Sequence, residues 1–265
     1  MLYDCFTYFN EDLILDMRFN ILNDKVDYFV IIEGNRTHSG NLKKKNFNIE
    51  KFLKFKKKIK YFFIKNMPKK FSPWQLENFQ RNQIILGLKE AKNNDLVLIS
   101  DCDEIPNLDA IRNIKNFNND IFVFKQKLFY YKINLLNTKS SPWYGTKLIT
   151  YNQLKNFTPQ QIRNYKPNQY PFWRIDKPKN LKIIKKGGWH FSYLNNAKNI
   201  KLKLRSYAHT EHNNDILTNE KILRKRIDNH QDLFNDKTHL KRVKLNNSYP
   251  SHIIRNKKKF KDWIV

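Results

Sequence analysis

Asp101, Asp103 and Glu104 stand together in Asp95-Leu-Val-Leu-Ile-Ser-Asp101-Cys-Asp103-Glu104-Ile-Pro106. The apolar run ahead of them reads as a buried strand, and the proline behind them ends it. On extended backbone, residues i and i+2 share a face, so Asp101 and Asp103 point the same way. The carboxyl end of a strand is where open α/β sheets bind ligands. Two hard oxygen donors on one face suit Mg2+ or Mn2+, ions of the kind that keep water and bridge to phosphate oxygens. A loop of solvated acids is the competing reading of a bare Asp-x-Asp. The strand before it and the Glu-Ile-Pro after it favour a metal–phosphate site.

Other side chains are candidates for the same site. Glu33 ends the apolar run Val26–Glu33 and could bind a nucleoside or cap a helix. Arg81 could balance diphosphate charge or pair with Glu77 four residues earlier. Trp143 could stack on a sugar through its apolar face, although core packing is its commoner fate, and Trp189 is a further substrate-binding candidate. His190 follows Gly187-Gly188-Trp189, and glycines allow close backbone approach. A histidine between two aromatics is also a common packed residue, so metal ligand and structural side chain both stay open.

These residues need a frame. Residues 2–9 read as a strand, and Glu11–Leu22 has apolar residues at helical spacing. Val26–Glu33 and Lys60–Ile64 read as strands, with a Lys-rich helix or loop between them over 41–58. Pro73–Lys92 reads as one amphipathic helix behind a Ser72 cap. After Pro106 come a short helix, two strands within 120–136, an aromatic turn at Pro142–Thr146 and a strand at 147–151. Leu181–Ile184 is a further strand, with Gly187–Tyr193 as a compact motif after it. The alternation predicts an α/β fold with an open, mostly parallel sheet and flanking helices. No repeat or Gly/Ser linker divides it, so residues 1–214 read as one domain, the one that carries the acidic cluster. Residues 215–265 form a basic helical segment packed on it, with apolar positions 216, 217, 222, 223 and 227 as its stripe.

The 265 residues carry a formal charge of +27, which raises nucleic acid as a partner. The charge comes from 40 Lys against 11 Arg, alongside 35 Asn and only 4 Ala. That composition reads as A/T-rich coding spread over solvated faces, and arginine, the better phosphate and base reader, is not enriched. No specific nucleic acid is expected. A nucleic-acid module using the Lys runs at 43–45, 56–58, 69–70 and 257–259 is the rival from a different class. Two cysteines, Cys5 and Cys102, make no disulfide framework and fit a reducing, cytoplasmic location. No signal peptide is read, and no run approaches the roughly 18 apolar residues of a membrane span.

Taken in order, YDCFTYFNEDLILDMRFNIL, VDYFVIIEGNRTHSG, WQLENFQRNQI, DLVLISDCDEIP, GGWHFSYL and RSYAHTEH span residues 3–212, and with them the chain resembles glycosyltransferase family 17. The resemblance implies a GT-A-type nucleotide-sugar fold and an inverting transfer, with UDP-N-acetylglucosamine as donor and a glycan as acceptor. It agrees with the chemistry of the acidic cluster, because a departing diphosphate gathers negative charge that a divalent ion stabilises. Asp103 is then the direct ligand, Asp101 binds through water or holds the ribose, and Glu104 supports them. Similar folds place a late histidine on the metal, which brings in His190. An inverting transfer also needs a general base. Glu211, in His209-Thr-Glu-His212, lies within a matching stretch, with Asp176 as the alternate and a surface ion pair as the competing reading of either. A haloacid-dehalogenase-type phosphatase also uses Asp-x-Asp after a strand, but wants Thr or Val where Glu104-Ile105 stand.

Overall fold

The computed structural model describes residues 1–118, 120–167, 180–235 and 237–265. The chain opens with β1 (Leu2–Thr7), α1 (Asp12–Leu22), β2 (Tyr28–Gly34), β3 (Ile59–Ile64), α2 (Pro73–Asn82) and β4 (Leu96–Asp101). The four strands lie side by side as β3-β2-β1-β4, all parallel. Both faces of this block are covered, as the apolar composition of its strands requires. On β1, Tyr3 and Cys5 pack against the 83–88 segment and its neighbours, while Phe6 packs on the opposite side with Leu15 and Phe19 of α1.

Beyond β4 the sheet becomes mixed. The remaining elements are β5 (Glu104–Pro106), β6 (Ile121–Tyr130), β7 (Leu135–Leu136), β8 (Trp143–Thr150), α3 (Tyr151–Leu154), α4 (Pro159–Asn164), β9 (Leu181–Ser192), α5 (Ala197–Ser206), α6 (Glu220–Asp228), β10 (Lys241–Arg242) and α7 (Ser251–Arg255). The sheet runs β10-β7-β6-β8-β4-β1-β2-β3, with β9 beside β6 and β5. β8 is antiparallel to both β4 and β6, whereas β9 is parallel to β6. The fold is thus α/β with flanking helices, and a parallel half leads into a mixed second half at β4. That is the GT-A-like arrangement the family resemblance implies.

Several elements differ from their sequence readings. The helix expected over Pro73–Lys92 is α-helical only to Asn82, behind a Ser72–Gln75 capping box, and tightens to 3-10 geometry over Gln83–Leu88. The β-branched Ile84-Ile85 and Gly87 make that stretch a poor α-helix. The aromatic turn expected over Pro142–Thr146 is instead, from Trp143 onward, the start of β8. Strand 181–184 and the glycine motif are one strand, β9, with a bulge. Phe124 pairs with Ile184 and Gln126 with Gly188, so the extra β9 residues arch out.

The basic segment from 215 onward is less helical than its spacing suggests. Asn219 caps a short α6, Ile216 is 61% exposed, and the chain then contributes β10 to the sheet edge beside β7. Leu223, Leu233 and Leu240 share a core with Leu204 of α5. Tyr249, Ile253 and Phe260 enter the main core with Phe52 and Phe129.

Candidate active site

The acidic cluster forms where β4 stops and the chain re-enters as β5. A buried arginine underneath holds this turn. Arg18, from α1, grips Asp4 of β1 through Nε and Nη2 at 2.7 and 2.6 Å. Its Nη1 donates to the carbonyls of Asp101, Cys102 and Glu104 at 3.1, 3.1 and 2.8 Å, and Nη2 also reaches Ser100 Oγ. Burial alone would lower the Arg18 pKa, but Asp4 outweighs it and the guanidinium stays charged. Arg18 therefore ties the loop backbone to β1.

β5 then pairs with β9, setting Glu104 opposite His190. Gly188 makes this pairing possible. Its φ of +125° is open to glycine, and a Cβ there would stand 2.3 Å from the Ile105 carbonyl. His190 Nε2 comes to 3.4 Å from Asp103 Oδ1, while Lys203 of α5 donates to Asp103 Oδ2 at 2.8 Å. Burial would raise the Asp103 pKa, yet Lys203 and His190 hold it well below the usual carboxylate range.

Asp101 is held differently. Arg81 of α2 and Arg163 of α4 each donate to one of its oxygens, at 2.8 and 2.9 Å. Together they overcome burial and depress its pKa strongly. Arg163 also donates to Glu104 Oε1 at 2.5 Å, and Trp143 Nε1 donates to the same oxygen at 2.6 Å. Gly145 fits between them because a Cβ would meet Gln126 Oε1 at 2.2 Å and Glu104 Cδ at 2.7 Å. Beneath it, buried Lys147 donates to the carbonyls of Tyr144 and Gly145 at 2.8 and 2.6 Å. Desolvation, reinforced by Arg163, drives the Lys147 pKa well down, which favours the neutral amine.

Asp101, Asp103, Arg81, Arg163, His190, Lys203 and Trp143 all line one cleft of about 510 Å³. Its rim is aromatic. Trp74 stands edge-on to His209 at 4.5 Å between ring centroids, and Tyr207, His212 and Phe234 continue the wall.

The structure thus brings Asp101, Asp103, Glu104, Arg81, Trp143 and His190 together, and it sets others apart. Glu33 is fully buried and spent on the chain itself. It accepts from the Asn46 and Phe47 amides at 2.7 and 3.0 Å, from Tyr61 Oη at 2.8 Å and from Lys43, so it folds the 43–47 loop rather than facing a nucleoside. Trp189 lies in the main core, because adjacent strand residues face opposite ways and His190 takes the cleft side. Arg81 makes the pair with Glu77 that its spacing offered, at 2.7 Å, and also binds Asp101 at 2.8 Å, a contact its sequence position did not suggest. Glu211 is exposed beyond the cleft wall and accepts from His209 Nδ1 at 2.7 Å. That bond lowers its pKa. Asp176 lies outside the described residues. Arg163 and Lys203 lie outside every matching stretch; Asp4 and Arg18 lie inside the first one, where the signal is a charged residue at a core position, Asp4 in β1 and Arg18 in the α1 stripe.

Asp103 Oδ1 and His190 Nε2 are spaced closely enough to share one divalent ion, and both face the cleft. Such an ion ordinarily takes one or two protein ligands and fills the rest with water and phosphate oxygens, so these residues fit it. Asp101, expected among the ligands, instead has both oxygens on guanidinium groups. A second set, His209, Glu211 and His212, has its ligand atoms within 4.8 Å of one another, but on the exposed rim.

The sequence model of glycosyltransferase family 17 matches residues 1–261. No curated protein matches the chain. Among solved structures, it is similar to the 2-C-methyl-D-erythritol 4-phosphate cytidylyltransferase of Francisella tularensis, at 13% identity and a TM-score of 0.31. That alignment covers 58% of this chain and 75% of the other.

Proposed function

The chain belongs to glycosyltransferase family 17, and from that premise we propose that it moves N-acetylglucosamine from a UDP-sugar to a glycan hydroxyl with inversion. What carries this reading is the Asp103–His190 pair at the cleft floor, framed by the cations Arg81, Arg163 and Lys203. Asp103 and His190 would hold Mn2+ or Mg2+, which would stabilise negative charge on the leaving diphosphate. Asp101 and Glu104 fix the positions of the two guanidiniums, which face the same diphosphate. Trp143, kept upright by Glu104, offers a ring edge and face to the sugar.

For the proton acceptor, the rim pair His209–Glu211 replaces Glu211 alone. A carboxylate whose pKa is lowered is a poor base, and the histidine paired with it offers a ring nitrogen as acceptor instead. With Nδ1–H donated to Glu211, His209 Nε2 is the free lone pair, and His209 lines the cleft. Both thiols are free and buried, which supports a reducing, cytoplasmic location.

The test is a screen of sugar nucleotides with Mn2+ or Mg2+, read as thermal stabilisation and as nucleoside diphosphate release. A UDP-sugar is expected to stabilise the protein only with the ion present. Asp103→Ala should lose ion-dependent donor binding and turnover while keeping its fold. Normal turnover by Asp103→Ala would remove the site assignment.

A further inference from the structure

The acids of the cleft are each paired with cations of the chain itself. Each oxygen of Asp101 carries a guanidinium, one oxygen of Glu104 carries Arg163 and Trp143, and Asp103 sits between His190 and Lys203. The cations differ in freedom. Arg81 is also bound to Glu77 and Gln160, and Arg163 to the Gly145 carbonyl at 3.0 Å. Lys203 is a single ammonium on a flexible stem reaching in from α5. Besides Asp103 it has a second carboxylate within reach, Glu11 Oε1 at 3.7 Å, and it lies 5.6 Å from the centre of the Tyr193 ring.

We propose that Lys203 is a built-in counter-ion that holds Asp103 against the divalent ion until the donor arrives, then passes to the diphosphate. The proposal rests on the sugar-nucleotide reading above. A divalent ion on Asp103 would lie close to the Lys203 ammonium, and like charges in a shielded cleft repel strongly. A diphosphate removes that conflict, because it supplies anionic oxygens for Lys203 and the ion together. Ion and donor are thereby coupled through one side chain, and by linkage each must tighten the other by the same factor.

The experiment measures Mn2+ binding by the spin-resonance signal of the free ion, with and without UDP, in wild type and Lys203→Met. Wild type should bind Mn2+ weakly alone and markedly more tightly with UDP, within the roughly 5–150-fold range usual for coupled sites. Lys203→Met should bind Mn2+ about tenfold or more tighter without UDP and lose most of the coupling, the size of effect expected when one coupling term is removed. Lys203→Arg should keep the wild-type pattern. If Lys203→Met folds poorly by its melting curve, Lys203→Gln replaces it in the same measurement. Unchanged or weaker Mn2+ affinity in the charge-removed variant, with coupling preserved, overturns the counter-ion while the transferase reading stands. Wild type that binds UDP under no condition would remove both.

Discussion

Arg18 decides the shape of the acidic turn more than any residue in it. One guanidinium satisfies a buried carboxylate and three loop carbonyls, so its loss strands polar groups in the core. Removing one partner of a buried ion pair costs about 3–5 kcal/mol. Arg18→Met should therefore lower stability by about that much, a large share of the roughly 5–15 kcal/mol a domain possesses. Asp4→Leu combined with Arg18→Met removes the stranded charge and should recover part of the loss. Activity should not return with it, since the Asp101, Cys102 and Glu104 carbonyls still lack their donor. Denaturant melts and turnover of the two variants, compared side by side, check this; recovery of activity in the double variant would show that the loop needs no clamp.

At the scale of elements, the site is an intersection. β4 and β5 deliver the acids, β9 delivers His190, α2 and α4 bring the two arginines, and α5 brings Lys203. The basic C-terminal segment is tied into this frame rather than loose. Beyond β10, the Trp263 carbonyl accepts from the Ile133 amide at 2.8 Å, and the Val265 amide donates to Asn134 at 2.9 Å. Phe260 is wholly buried. Phe260→Ala should cost about 3–5 kcal/mol, and deletion from 215 onward should leave no cooperative unfolding transition. A truncated protein that keeps its melting temperature, and loses only affinity for nucleic acid or anionic vesicles, would make the segment a binding arm instead.

For the whole molecule, buried charges set the response to pH. Burial lowers the pKa of His38, against the pull of Glu77, and likewise that of His252. Unfolded histidines take up protons near pH 6.5, and the fold excludes them, so stability falls as pH drops below about 6.5. Asp101 and Asp103 have depressed pKa values, so what they contribute is complete above about pH 4 and is lost only on further acidification. Melting temperature should thus decline in two stages, one below about pH 6.5 and a steeper one below about pH 4. His38→Gln should make the first stage shallower, leaving the share of His252, and leave the second unchanged. A curve level from pH 7 to pH 5 would contradict the assignment.

The sequence by itself determined the parallel β-α-β half, the position of the acids at the end of β4, and the ordered motifs that mark the family. These are local properties: apolar periodicity fixes a strand, and a strand's end fixes where its polar neighbours emerge. It also pointed to His190 and Arg81, each inside a motif. Tertiary structure decided which charges meet them. Arg163 reaches Asp101 across 62 positions, and Lys203 reaches Asp103 across 100, and no spacing rule spans such distances. It likewise turned Trp189 inward and closed Glu33 within its own loop, because a strand's pairing register, settled only when the sheet assembles, chooses the face each side chain takes.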